Sequence, residues 1–575
     1  MVPHAERVGL FPTLILLLLS LVSARAVAAG SQSPVIHDAV PFALAPGKTE
    51  TVTFFGEHLD GASELWVNCP ATSTRVLTQK TNSPGAGQVA FQISVPKTVP
   101  VGIVAARLAA TNGVSDLYLL MVDDLPGVRE TGTNKTLASA QRLEPPLAVE
   151  GHCDELANDY YRFHARKGQR LSVEVVANRL GSPLDPLLRL LDATGKELAY
   201  CDDDAAAGAD ARLRFIAPAS GEYFVEVRDV GYQGGSRYRY RLRLGDFPLA
   251  GSTFPAGARQ ATQARLQFVG TAVEGLRRAD VRVPENAGQF RLNARFGRGR
   301  GSGYVTVPAG RLPEVVEQEP NDLPEAATRI CPPCVVNGRF EKSKDRDWFE
   351  FPAAPGQKLV FSGRTRSLGS PCDLFMQLCG ADGKPLAEAD ISGANEGTLT
   401  NTFKDAAVCR LLVEELNRGG GPDFVYRIAI EPLPPGFTLA VETNRVEAAA
   451  DGTFEIKVAA ARREYDGPIA LSLDGPAIGF ALENEIIPEK KNETALKVKV
   501  PAQTPAARLI QFKIRGHAVV SGSEFEATAG TMGALKKMWP LLRYPPGELD
   551  GWIGLGIKTA PPPAKAAASA PRKDR

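Results

Sequence analysis

The chain carries none of the short motifs that mark familiar hydrolytic or nucleotide chemistry. Its six histidines, at 4, 37, 58, 152, 164 and 517, form no HExxH or other ligand pair, and no GxSxG stands where a strand would turn into a helix. Arg295-Phe-Gly-Arg-Gly-Arg-Gly-Ser-Gly303 is rich in glycine and arginine but lacks the strand, the closing Lys-Ser/Thr and the helix of a phosphate loop, so it reads as a flexible surface loop. Excess charge is missing too. With 66 Lys and Arg against 65 Asp and Glu, the formal net charge of +1 excludes bulk attraction to nucleic acid or to an anionic membrane. No apolar run beyond the first thirty residues is long enough to span a bilayer. Long segments of 3.6-residue period are absent as well, which excludes a helix-rich catalytic domain. A triad assembled across domains is set by geometry rather than spacing, and stays open.

What the chain does have is alternation. Leu171, Val173 and Val175 enclose Ser172 and Glu174; Phe454, Ile456 and Val458, then Leu496, Val498 and Val500, then Ile510, Phe512 and Ile514 repeat the pattern. Period two marks half-buried antiparallel strands. With 55 glycines and 44 prolines punctuating short runs, the fold class expected is all-β, a tandem of β-sandwich domains.

Two stretches repeat each other. Asp159-Tyr-Tyr-Arg-Phe163, Lys167-Gly-Gln-Arg-Leu171, Leu180-Gly-Ser-Pro-Leu-Asp185 and Leu191-Asp-Ala-Thr-Gly-Lys196 return as Asp347-Trp-Phe-Glu-Phe351, Pro355-Gly-Gln-Lys-Leu359, Leu368-Gly-Ser-Pro-Cys-Asp373 and Gly380-Ala-Asp-Gly-Lys384, always 188 residues later (347 less 159). A constant offset over four blocks marks two homologous modules. A weaker echo links Phe54-Phe-Gly-Glu-His-Leu-Asp-Gly61 to Phe268-Val-Gly-Thr-Ala-Val-Glu-Gly275. The expected domains are 30–127, 128–246 (first copy), 247–313 (a small echo of the first domain), 314–433 (second copy) and 434–530 (a C-terminal sandwich). An extension and low-complexity tail over 531–575 follow; its apolar stretches, Trp539 to Pro546 and Trp552 to Leu555, either pack back or mark an interface.

At the N-terminus, Arg7, the apolar run Leu14 to Val22 and Ala26-Val-Ala28 make residues 1–29 a signal peptide in outline. Secretion is expected, with an uncleaved anchor as the alternative. Eight cysteines, 69, 153, 201, 331, 334, 372, 379 and 409, permit disulfides in that compartment. Cys331-Pro-Pro-Cys334 has redox spacing but lacks the helix N-terminus that would depress a thiol pKa, so a local disulfide or unpaired thiols are expected there.

The two copies resemble the bacterial pre-peptidase C-terminal (PPC) domain. The resemblance rests on Glu317-Gln-Glu-Pro-Asn-Asp322, Asp347 to Phe351, the Gly-Gln-Lys-Leu turn and Leu368 to Asp373. It covers about 115 residues in the second copy, whereas the first has lost most of the opening motif. The resemblance implies a jelly-roll-like sandwich of secreted proteins, often appended to peptidases, some relatives of which bind calcium and some collagen. Residues 30–125 and 247–313 resemble immunoglobulin-like TIG modules, and the arrangement as a whole is similar to secreted proteins of planctomycete-type bacteria.

Calcium takes six to eight hard oxygens. Glu317, Glu319, Asn321 and Asp322 offer four such side chains in six residues, and Asp345 and Asp347 match the second ligand cluster of the calcium-binding relatives. If the opening segment folds against the strand after Asp345, the six meet; otherwise Glu317 to Asp322 is a solvated linker. In the first copy the counterparts are Glu130, Gly132, Asn134 and Lys135, with Ala157 or Asn158 and then Asp159. Two carboxylates are gone and a lysine has arrived, so no calcium is expected there.

Two other clusters stand out. Asp202, Asp203 and Asp204, with Asp210, read as a solvated turn or a cation site. Arg237, Arg239, Arg241 and Arg243 alternate with Tyr238, Tyr240, Leu242 and Leu244, which predicts an outer face of four guanidinium groups, either a polyanion platform or a protected edge strand. The function expected is that of a secreted, non-enzymatic binding or scaffold protein. Its partner would be a protein or polysaccharide of the envelope or extracellular matrix. The alternative is an accessory or targeting partner of a secreted peptidase, or a divergent hydrolase.

Overall fold

A computed structural model describes residues 32–76, 87–390 and 396–559; the expected signal peptide and the tail from Ala560 lie outside the described residues. The described chain is almost entirely β, as the alternation predicts. Among the described residues no helix is long and apolar enough to cross a membrane.

Residues 127–245 form two five-stranded sheets. One runs, in spatial order, Gly127–Arg129, Leu147–His152, Arg239–Gly245, Arg170–Val176 and Arg212–Ile216; the other runs Gln141–Leu143, Asp159–Ala165, Gly221–Asp229, Pro186–Asp192 and Glu197–Cys201. Residues 314–432 repeat this order strand for strand, from Glu314–Val316 through Cys334–Arg339, Val425–Pro432 and Lys358–Arg364 to Thr398–Thr402 in one sheet, and from Thr328–Arg329 to Pro385–Asp390 in the other. Between the sheets lie Tyr161, Phe163, Leu188, Val225 and Tyr240 in the first stretch, and Phe349, Phe351, Met376, Leu411 and Tyr426 in the second, all buried.

The weaker echo has a structural counterpart. In 33–122 and again in 249–310, a bulged first strand pairs with the strand carrying the aligned phenylalanine, Phe54 or Phe268. In both, a two-residue strand (Ala43–Leu44, Ala258–Arg259) pairs in parallel with a later one. The small domain keeps only three strands per sheet.

These domains are not beads on a string. Ser172 and Glu174, expected to face water, are buried: the sheet bearing them packs its second face on the first and small domains, and Ser172 Oγ donates to the Phe247 carbonyl at 2.5 Å. The Arg295–Gly303 loop is docked rather than loose. Ser302 donates through N–H and Oγ to Asp124 at 3.0 and 2.7 Å, and a side chain at Gly301 would collide with Leu125.

The C-terminal extension closes the arrangement. Leu535, Trp539, Leu542 and Leu549 sit in the core of the first domain. Ile553–Lys558 then enters the ten-stranded C-terminal sheet between Arg445–Ala449 and Leu509–Val520, so that sandwich runs on to Lys558 rather than ending at 530. All eight cysteines are unpaired; Cys331 is exposed, and Cys334 is buried, its thiol pushed up to about 11 by desolvation.

Candidate metal centre

Strand Glu314–Val316 pairs in parallel with Cys334–Arg339, and the ladder continues past it: Glu317 N–H donates to the Asn337 carbonyl at 3.0 Å. Gln318 N–H donates to Thr328 Oγ1 at 3.0 Å, and Trp348 N–H donates to the Asn321 carbonyl at 3.0 Å. Residues 317–321 are therefore pinned against strand Arg346–Ala353, which is the docked arrangement and not the solvated linker. One carboxylate oxygen each from Glu319, Asp345 and Asp347 lies within 4.8 Å of the others. Asp345, Asp347 and Asn321 are all but fully buried, and Glu319 closes the group from the solvent side.

The electrostatics of this group are unfavourable on their own. Burial, reinforced by neighbouring carboxylates, pushes Glu317, Asp347 and Glu319 above the usual carboxylate range. Tyr426 answers part of this: its hydroxyl lies 2.6 Å from Asp347 Oδ2 and 3.1 Å from Glu317 Oε2. Gly338 makes that reach possible, because a side chain there would occupy the space of the phenol and the Glu317 carboxylate. Glu317 Oε1 also accepts the Arg339 N–H at 2.7 Å.

Oxygens are left over. Asp345 Oδ2 accepts the Glu341 N–H at 2.6 Å, whereas its buried Oδ1 accepts no hydrogen bond and has only the Lys342 ammonium, 3.4 Å away. The Asn321 carboxamide faces Glu319 Oε2 at 3.2 Å and Asp347 Oδ1 at 3.3 Å. Turned one way it donates to both; turned the other it adds its oxygen to theirs. A hard-oxygen set of three close carboxylates and an amide able to present either end is of the kind that could hold a cation such as Ca²⁺. Asp322 is not one of the three clustered carboxylates; its Oδ2 pairs with Lys342 Nζ at 2.9 Å, and the same ammonium lies 3.4 Å from Asp345 Oδ1.

In residues 127–245 a lysine fills the corresponding place. Lys135 Nζ lies 2.5 Å from Asp159 Oδ1 and 2.8 Å from Asp154 Oδ2, while Tyr240 and Tyr161 hydroxyls approach Glu130 Oε2 at 3.2 and 3.3 Å.

The arginine row is a correction. Arg237 is exposed just ahead of its strand, but Arg239, Arg241 and Arg243 are buried, at 5, 2 and 0% exposure. Arg241 Nε donates to Asp123 Oδ2 at 2.6 Å and Nη1 to Glu150 Oε1 at 3.1 Å. Arg243 forks between Asp123, Glu174 and the Ser302 carbonyl. Arg239 donates to the Leu119 and Leu180 carbonyls and lies 3.9 Å over the Tyr118 ring. Alternation alone puts charge on the outer face, and here that face is covered by the first domain, which supplies Asp123, while Glu150 and Glu174 come from the two flanking strands of the same sheet.

The aspartate run is absorbed likewise. Asp204 pairs with Arg212 at 2.5 Å, Asp202 accepts the Tyr200 hydroxyl at 2.6 Å, and buried Asp210 accepts the N–H groups of Ala177, Asn178 and Arg179. Tyr426 and Lys342 are the participants that the sequence reading missed. Val425-Tyr-Arg427 repeats Arg239-Tyr-Arg241, and that signal could have found Tyr426.

One comparison with known proteins is placed on the first of the two repeats. Residues 157–229 match the bacterial pre-peptidase C-terminal domain. Over 206 residues the chain is 28% identical to a probable subtilase-type serine protease of Deinococcus radiodurans. That match takes in 32% of this chain and spans only 27% of the protease's length. Among solved structures, the pre-peptidase C-terminal domain of a collagenase from Bacillus anthracis is similar at 18% identity over 18% of this chain and 93% of that one, with a TM-score of 0.16. The M60 catalytic domain with CBM51 domains of Clostridium perfringens ZmpB is similar at 10% identity over 67% of this chain and 48% of that one, TM-score 0.14. The chain therefore contains a PPC domain within a tandem of β-sandwiches.

Proposed function

We propose that this is a secreted, non-enzymatic binding or scaffold protein in which residues 314–432 form a second PPC module that holds a calcium ion. The observation that carries the metal reading is the group of carboxylate oxygens from buried Asp345 and Asp347 and exposed Glu319, all within 4.8 Å of one another, with the buried Asn321 carboxamide beside them. Bound there, the ion would neutralise carboxylates that burial otherwise disfavours, and would tie the entry segment 317–321 to the strand beginning at Arg346. Glu319, Asn321, Asp345 and Asp347 would hold it, Glu317 would support Asp347 through Tyr426, and Asp322 would stay with Lys342. The immunoglobulin/TIG-like reading of 33–122 and 249–310 rests on their paired small sheets. A rigid frame of packed sandwiches suits a binding surface for a protein or polysaccharide of the envelope or extracellular matrix.

Calorimetric titration of Ca²⁺ into the full chain tests the site. Saturable heat at about 0.1–1 mM, the range of extracellular calcium modules, is expected, and Glu319→Gln, at an exposed position, should weaken it. Absence of heat together with an unchanged melting temperature in calcium and in chelator would remove the metal from the account.

A second reading, an accessory role beside a secreted peptidase or a divergent hydrolase, is favoured by the 206-residue match to a subtilase-type protease. Ser472 Oγ and His517 Nε2 do stand 2.9 Å apart, but on the exposed face of the C-terminal sheet, without walls to position a substrate. Turnover of casein by the purified chain, lost in Ser472→Ala, would favour the hydrolase; capture of a peptidase from culture medium would favour the accessory role.

A further inference from the structure

The two repeats carry the same ion pair with its charges exchanged. In the first, Lys135 pairs with Asp154 at 2.8 Å; in the second, Asp322 pairs with Lys342 at 2.9 Å. The positions correspond by backbone geometry. Asn134 and Asn321, just before Lys135 and Asp322, each accept the N–H that follows the strand aspartate, from Tyr160 and Trp348. Asp154 and Lys342 each open a turn closed by an N–H three residues on, at Ala157 and Asp345. In both turns the residue before that N–H has positive φ, Leu156 at 56° and Lys344 at 64°. Lys135 thus stands where the second repeat has Asp322, and Asp154 where it has Lys342.

The exchange moves the ammonium. Lys135 reaches inward, its side chain 24% exposed, with Nζ 2.5 Å from the buried Asp159. Lys342 lies outside, 62% exposed, and is no nearer than 3.4 Å to Asp345. The first repeat accordingly holds a positive charge beside its strand aspartate, while the corresponding Asp347 of the second has carboxylates and an amide around it. Gly132 and Ala157 fit this, because with the ammonium in place the carboxylates of Glu319 and Asp345 have no counterpart to serve.

We infer that Lys135 is a covalently tethered substitute for the cation, and that the orientation of this one ion pair decides which repeat depends on metal. The inference rests on the calcium reading of residues 319–347. A lysine carries its own charge wherever the protein goes, so the first repeat holds its entry segment at any calcium concentration. The second can do so only where calcium is plentiful.

Full-chain variants test it. Asp322→Lys with Lys342→Asp keeps the pair and the net charge but turns the ammonium inward; it should abolish calcium heat and make melting of the second repeat indifferent to chelator. Lys135→Met should lower the melting temperature by leaving Asp159 without its cation, calcium should not restore it because Gly132 and Ala157 supply no carboxylate, and adding Asp159→Asn should recover most of the loss. If the exchanged variant binds calcium as tightly as the wild type, the lysine role fails and the metal site stands. If the wild type binds none, the metal reading fails and takes this one with it. Should the exchanged variant not fold, the Lys135→Met pair decides alone, and a stability loss that Asp159→Asn does not recover overturns the inference.

Discussion

Arg241 donates its Nε to Asp123 Oδ2 at 2.6 Å across the join between the first domain and the first repeat, and both side chains are buried. The same carboxylate accepts Arg243, so one aspartate is shared by two buried guanidinium groups whose other carboxylate partners, Glu150 and Glu174, belong to the repeat itself. A buried ion pair of this kind is dangerous to break, because its loss leaves an uncompensated charge rather than a missing contact. The join is therefore chemically specific, and it fixes the angle at which the two domains meet.

Asp123→Ala is expected to destabilise the protein by about 3–5 kcal/mol. Arg237→Ala, at the exposed position of the same row, should stay within about 0.5 kcal/mol of the wild type. Urea denaturation of the two variants checks the contrast, and similar midpoints for both would show that the row does not carry the join.

Tyr426→Phe removes the hydroxyl between Asp347 and Glu317 while keeping the ring in the core. The expected cost is about 1–3 kcal/mol in chelator, smaller when calcium is present. Gly338→Ala acts on the same contact from the other side and should cost at least as much, since the added methyl takes the space of the phenol. Paired thermal melts with and without calcium measure both.

pH offers an independent readout. Burial raises Glu317 and Asp347 in the folded state, so the folded chain binds more protons than the unfolded chain wherever those groups are still protonated. Their contribution is most favourable below the ordinary carboxylate range and is lost as pH rises toward the raised values. In chelator, stability should fall from pH 5 to 8; calcium, by neutralising the same carboxylates, should flatten the slope. A melting temperature that rises with pH in chelator would contradict this electrostatic account.

Trp539 is buried on the core of the first domain, and its indole lies against Gly181 of the first repeat. Trp539→Ala should cost about 3–5 kcal/mol. Removing residues 531–575 should do more, by opening the C-terminal sheet where Ile553–Lys558 is inserted between two strands. Gel filtration and circular dichroism of the truncated chain should show aggregation or loss of cooperative melting.

By itself the sequence determined the class and the repeats. Period-two alternation marks half-buried strands, and the constant spacing of Asp159/Asp347 and Lys196/Lys384 marks a repeated unit, which the recurring strand order matches. The sequence offered the acidic residues of 317–347 as one group only on condition that the entry segment folds against the strand after Asp345, and tertiary structure met that condition. Tertiary structure decided which polar faces meet water. Arg239, Arg241 and Arg243 follow the same alternation as a solvated strand face, and only the packing of a neighbouring domain, which aims Asp123 at Arg241 and Arg243, buries them. Tertiary structure also decided that Tyr426 reaches Asp347 and Glu317 from 79 and 109 residues away, and that Lys135 points inward while Lys342 points out. Periodicity reports which residues share a face; what covers that face is a property of the assembled domains.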